Sequence, residues 1–186
     1  MAHVEIVQPA DANEELAVIY ADIIDRRGAL SNVVMCTSLN PASITKHMDI
    51  YLQIMFGNSP LKRWLREMMA VVVSVANDCH YCQLHHSVAL NHFWKDEDRL
   101  ERLRVDYRGA DLDSQAEQWC RYAVQLTREP GQDTGGLIAE LKAGGASDRE
   151  IVDATLVISY FNFVNRLVLG LGVAVEPDGG EGYHYD

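Results

Sequence analysis

Residues 67–86 read EMMAVVVSVANDCHYCQLHH, and this stretch decides what kind of protein the chain makes. An apolar run from Met68 to Ala76 breaks at Asn77-Asp78, and a second helical pattern begins with Cys79-His80-Tyr81-Cys82. With Glu67 ahead and His86 behind, the pattern is Glu-x11-Cys-x2-Cys-x3-His. Two thiols at i, i+3 are an economical way to move two electrons. A carboxylate and an imidazole at fixed offsets are what such a pair needs to manage protons.

The spacing sets geometric conditions. On a helix beginning at Cys79 both thiols lie in the first turn, where unpaired N–H groups and the positive dipole end favour thiolate. Three residues on a helix rise about 4.5 Å, within the span of a disulfide. Cys82 and His86, four apart, share a face. Glu67 is the difficult member: on one unbroken helix it would lie about 28 Å from His86. A reversal at Asn77-Asp78 instead brings residue 67 level with roughly residue 88, so that Glu67 faces His86 with Cys82 one turn nearer the bend. No charged residue follows Glu67 until Asp78. Apolar surroundings would raise its pKa and let it hold a proton near neutrality.

The pair alone is not enough. Lowering a thiol pKa from about 8.5 to about 6.5 raises the thiolate fraction at pH 7 from roughly 3% to roughly 75%. Nucleophilicity falls along with the pKa, so the net gain is only about threefold. A peroxide-cleaving thiolate also needs a proton for the departing alkoxide, and positioned general acids give roughly 10² to 10⁴-fold. His86 and Glu67 are the candidates to deliver it.

The rest of the chain is ordinary. It has 186 residues, 48% hydrophobic and 23% charged, enough for one domain with a real core over about 30–175 and a tail over 176–186. A net charge of −11 excludes nucleic acid and anionic membrane as natural partners. The N-terminus lacks the basic and apolar regions of a secretory signal, and the apolar stretch from Ala154 to Asn165 is short of a membrane span. A cytoplasmic protein is expected, where a CxxC is catalytic or metal-binding rather than a structural disulfide. Cys36 and Cys120 sit in apolar company and read as small buried hydrophobes.

Helix punctuation is frequent, and period-two alternation is absent over any useful length. Asp11-x-x-Glu14, Asn40-Pro41, Ser59-Pro60, Ser114-x-x-Glu117 and Ser147-x-x-Glu150 each open a helical pattern, with Gly28, Gly57 and Gly144 as stops. Asp96 to Tyr107 and residues 134–143 form shorter ones. The expectation is an all-α bundle of about seven or eight helices. Residues 151–171 are apolar on more than one face, which suits either the core or a subunit interface. His85 and His92 share a face of the CxxC helix but read as solvated or interfacial. His47 reads as a partly buried surface residue, His184 as a tail residue, and Trp64 and Trp119 as core.

At these residues the chain resembles the alkyl hydroperoxidase D (AhpD-like) branch of the carboxymuconolactone decarboxylase superfamily. The motif matches at Glu67, Cys79, Cys82 and His86. The segments Ser38-Leu39-Asn40-Pro41 and Tyr160-Phe161-Asn162-Phe163-Val164-Asn165-Arg166 look like the peroxidase-related subgroup. The resemblance implies an antioxidant oxidoreductase in which Cys82 is the peroxidatic thiol that becomes sulfenic acid. Cys79 would be the resolving thiol, and Glu67 with His86 the proton relay. It further implies a homo-oligomer, trimer or hexamer, served by a dihydrolipoyl or thioredoxin-like thiol reductant, with no cofactor and no metal. Where the founding enzyme has a histidine directly before its second cysteine, this chain has Tyr81.

Three rivals stand beside this. Cys79, Cys82, His86 and Glu67 are a ligand set that suits zinc, although zinc pairs are normally further separated. The superfamily's lactone decarboxylases lack the cysteine pair. A helical oligomer with a redox-sensing or inert CxxC is the third.

Overall fold

The computed structural model describes residues 2–177 and residue 183. Among these the chain is all-α, with nine α-helices, two 3₁₀ turns and no strand. The helices are α1 (Glu14–Arg27), α2 (Asn32–Met35), α3 (Pro41–Phe56), α4 (Arg63–Ala76), α5 (His80–Trp94), α6 (Glu97–Val105), α7 (Ser114–Arg128), α8 (Gly135–Ala143) and α9 (Asp148–Leu171). The extra element relative to the sequence reading is α2, a single turn too short to show a period.

Most expected boundaries hold, and the departures have local causes. Asp11 lies in a 3₁₀ turn, and Asn13 caps α1 by accepting from the Leu16 N–H. Asp113, one residue ahead of the expected Ser114, caps α7. Ser59-Pro60 does not open α4, which begins three residues later at Arg63. The capping box at Ser147 and Glu150 is complete.

The centre of the fold is α4. Every residue from Leu65 to Ser74 is buried, including Arg66 and Glu67, so the amphipathic period read from sequence gives way to burial on all sides. Around α4 pack α5, α7 and α9, with α3 and α6 at its ends. The other apolar helix, α9, is long and apolar enough by length and composition to cross a membrane, which corrects the shorter span read from sequence. Here it is a core helix that buries Ala154, Val157, Ile158, Phe161, Val164 and Val168 against its neighbours.

The expected reversal between α4 and α5 is present. Asp78 takes a left-handed conformation (φ 54), the Cys79 N–H bonds to the Ser74 carbonyl, and the Asp78 N–H bonds to the Val75 carbonyl. This is the 6→1 and 5→2 pairing that ends a helix when the residue after its cap turns left-handed, a conformation aspartate tolerates better than most side chains. The turn is also tied from the side. The Asn77 amide donates to the Asn162 and Asn165 side-chain oxygens, and the Asn165 amide donates to Ser74 Oγ.

A second tie fixes α3 against α4. Buried Arg66 donates to the carbonyls of Leu61, Ile54, Met55 and Gly57, placing a cation on the C-terminal carbonyls of α3. Arg66→Met keeps much of the volume but leaves those carbonyls without their donor. It is expected to cost roughly 2–4 kcal/mol in urea denaturation. A loss under about 1 kcal/mol would show that the tie is unimportant.

Candidate active site

Glu67 is fully buried on α4 and its carboxylate has two partners. Oε1 accepts from the Arg63 guanidinium one turn earlier, and Oε2 lies 2.7 Å from His86 Nδ1 on α5. Burial alone would raise the Glu67 pKa. The charge and hydrogen bond of His86, together with Arg63, outweigh it and hold the group below its ordinary range. The expectation of a protonated Glu67 is therefore corrected: the charged neighbour precedes it by four residues, where the sequence reading looked only downstream. As a carboxylate, Glu67 fixes the proton of His86 on Nδ1 and leaves Nε2 as the working nitrogen.

The cysteines differ in position. All four in the chain are buried free thiols. Cys79 precedes α5 as its cap residue, and Cys82 lies in the first turn. Cys82 lines a narrow cavity of about 90 Å³ together with His86, whereas Cys79 does not reach it. The two thiols act on one another unequally. The interaction with Cys82 lowers the Cys79 pKa against its burial. Cys82 is raised well above its ordinary value by Cys79 and by burial, with Asn165 pulling the other way. Cys79 is thus the easier of the two to ionise, and Cys82, the thiol of the peroxidatic assignment, the harder. Among the described residues no Cys82–His86 hydrogen bond forms, although the two share the cavity wall.

The cavity is lined by α1, α2, α3, α5 and α9, and it recruits residues that the sequence reading set aside. His47 is buried, with Nε2 2.7 Å from the Tyr160 hydroxyl, and burial lowers its pKa to about 4. His85 lines the cavity, and its Nε2 lies 2.8 Å from Glu176 Oε2. Glu176, expected to open a loose tail, is clamped: Tyr81 Oη and the Asn32 N–H each lie 2.6 Å from its Oε1. These partners stand 91, 95 and 144 residues away in sequence, which is why no local pattern reveals them. Tyr81, the residue that departs from the founding pattern, is the hydroxyl in that clamp. His184 and the other tail positions beyond Pro177, Tyr183 excepted, lie outside the described residues.

Cys36 and Cys120 are buried, and burial raises both pKa values, that of Cys36 to about 11. Trp119 is core, and Trp64, partly exposed, packs against the core cluster with its ring tilted toward Trp94. Among the described residues no three cysteine, histidine or acidic side chains converge as a metal site. The zinc ligand set is further weakened because Glu67 is already engaged by Arg63 and His86.

Comparison with known proteins agrees with the fold. The carboxymuconolactone decarboxylase family model matches residues 43–122. No curated protein matches by sequence. Among solved structures, an uncharacterised peroxidase-related protein from Silicibacter sp. TM1040 is 26% identical, with TM-score 0.85 over 97% of this chain and 94% of that one. One from Ralstonia eutropha JMP134, described as an alkylhydroperoxidase AhpD core, is 19% identical, with TM-score 0.86 over 96% and 94%. The debrominase Bmp8, solved as a variant with 2,3,4-tribromopyrrole, is 17% identical, with TM-score 0.79 over 96% of each chain.

The Glu176 clamp has a pH consequence. Hydrogen bonds from His85, Tyr81 and the Asn32 backbone outweigh burial and take its pKa from 4.5 to about 2. A folded-state value below the unfolded one stabilises the fold above about pH 4.5, and that contribution is lost as pH falls toward 2. The stability difference between wild type and Glu176→Gln, measured by urea unfolding, is expected to shrink as pH falls from about 4.5 toward 2. A difference that grows over that range would contradict the clamp.

Proposed function

From its resemblance to the AhpD-like branch of the carboxymuconolactone decarboxylase superfamily, we propose that the chain is a thiol-dependent peroxidase. It would reduce alkyl or hydrogen peroxide through a Cys82 sulfenate and a Cys79–Cys82 disulfide. One observation carries this reading. The sulfur facing the cavity, Cys82, shares the wall with an imidazole whose other nitrogen is anchored to a buried carboxylate.

The steps follow from the residues. In the reacting form the pair carries one negative charge, and passage of the Cys82 proton to Cys79 places that charge on the cavity sulfur. The Cys82 thiolate attacks the terminal oxygen of ROOH; an S–O bond forms, the O–O bond breaks and RO⁻ leaves. His86, carrying a second proton on Nε2 and held by Glu67 at Nδ1, protonates RO⁻ to ROH. Cys79 then attacks the Cys82 sulfenic acid, forming the disulfide and releasing water. A dithiol reductant, dihydrolipoyl or thioredoxin-like, returns two electrons and two protons. Hydrogen bonding from Asn165 supports negative charge on Cys82 throughout.

A homo-oligomer is part of the proposal. Val152, Leu156 and Phe163 recur at helical spacing on the exposed face of α9. Light scattering is expected to give a trimer or hexamer, and a monomer at working concentration would remove that part.

Stopped-flow oxidation of the reduced protein, with mass spectrometry of Cys82, tests the chemistry. Cys82→Ser is expected to abolish peroxide consumption. Cys79→Ser should form the sulfenate once and stop. His86→Gln should slow sulfenate formation by roughly 10² to 10⁴-fold. A wild-type rate no better than free cysteine's would leave the redox-sensor or scaffold reading in its place. 2,3,4-Tribromopyrrole in place of peroxide checks whether the activity of the structurally similar debrominase has any counterpart here.

A further inference from the structure

The cavity holds a second polar pair that these steps do not use. His47 comes from α3 and Tyr160 from α9, and both line the cavity that Cys82 and His86 line. His47 is 8% exposed and Tyr160 6%. Around them the lining is apolar at Ile23, Val34, Met48, Phe161 and Val164, with Arg27 the one fixed cation among the lining residues described. Polar groups in such a place cost stability unless they are satisfied. Their mutual hydrogen bond of 2.7 Å satisfies one site on each and leaves the phenol with capacity for another.

The pair is also rigid. The Tyr160 ring stacks on Tyr51 at 5.8 Å and meets Phe161 edge-on at 5.2 Å, while His47 meets Phe163 edge-on at 5.6 Å. With both rings held, the mobile part is the hydroxyl hydrogen. Tyr160 and Cys82 line the same cavity. Phe161, its neighbour in sequence, contacts the His86 ring edge-on at 4.4 Å, so the two polar pairs occupy adjoining walls. His47 stays neutral above about pH 4, so it can donate from Nε2 to the phenol oxygen and turn the phenol O–H outward.

Resting on the peroxidase reading above, we propose that Tyr160 donates a hydrogen bond to the leaving oxygen of the hydroperoxide, with His47 as the positioning residue that aims its hydroxyl into the cavity. When the O–O bond breaks, the departing RO⁻ carries a full charge into a mostly apolar space, whose cation, Arg27, is engaged with the Tyr51 hydroxyl and the Tyr51 and Phe56 rings. A fixed phenol O–H stabilises that charge until the proton on His86 Nε2 arrives, as preorganised donors do at other developing oxyanions. Tyr160 itself transfers no proton, so the balance of the steps is unchanged. The narrow, ring-lined cavity further favours a compact organic hydroperoxide, such as tert-butyl hydroperoxide, over a long acyl chain.

Stopped-flow sulfenate formation with tert-butyl hydroperoxide is measured beside the pH profile of Cys82 alkylation by iodoacetamide. Tyr160→Phe is expected to slow the peroxide reaction about 10- to 100-fold and to leave the alkylation profile in place, because alkylation releases no alkoxide. His47→Leu should lose a similar factor, and His47→Gln, whose amide can still donate, should recover most of it. A Tyr160→Phe rate within about twofold of an active wild type overturns the inference and spares the peroxidase reading. An alkylation profile that moves with the rate overturns it too, since the tyrosine would then act through the thiol. Should Tyr160→Phe not fold, the contrast between His47→Leu and His47→Gln decides. A wild type inert to hydroperoxides defeats the underlying reading instead.

Discussion

A carboxylate with no exposed surface is the constraint around which this fold is arranged. Removing an ion from water costs several kcal/mol, so Glu67 is tolerable only with well-placed partners on both oxygens. Arg63 supplies one from the preceding turn and His86 the other from the next helix. Arg63 is itself laid over the Phe56 ring at 3.7 Å, which links the end of α3 to the same point. The line Phe56–Arg63–Glu67–His86 therefore joins three helices and ends at the nitrogen that faces the cavity. The angle between α4 and α5 is not free to vary without stranding a buried charge.

The reversal that permits this contact depends in turn on α9. Asn162 and Asn165 hold the Asn77 amide, and Ser74 accepts from Asn165 while donating to the Ala70 carbonyl. The interleaved residues Tyr160, Phe161 and Val164 line the cavity. One helix thus braces the turn with one set of side chains and shapes the reaction chamber with the next. Asn165 belongs to both tasks, since its amide also approaches the Cys82 sulfur.

How much of this could be read in advance follows sequence separation. The bend was legible because Asn77-Asp78 interrupts a run of apolar residues, and one register argument then sets Glu67 opposite His86. Caps marked most helix boundaries for the same local reason. The protonation of Glu67 was misjudged although its decisive neighbour, Arg63, sits at i−4, where helix geometry makes it a contact. His47 and Tyr160 are 113 residues apart, and Glu176 lies 91 from His85, so packing alone brings them together. The segment from Tyr160 to Arg166 stood out by resemblance, but nothing local said which of its side chains face a cavity. Which thiol ionises more readily was not legible at all, because it turns on burial and on how the two sulfurs meet.

That difference gives the two thiols different standing. Cys79 is sealed from the cavity and is the more easily ionised of the two. Cys82 lines the cavity, and its burial and its neighbour hold it against ionisation. Under the peroxidase reading, attack on a cavity ligand requires negative charge on the sulfur that gives up its proton less readily. A ligand aligned against His86 must make that charge favourable on Cys82. Selectivity then resides in that proton transfer, and the depressed pKa of a single cysteine does not account for it.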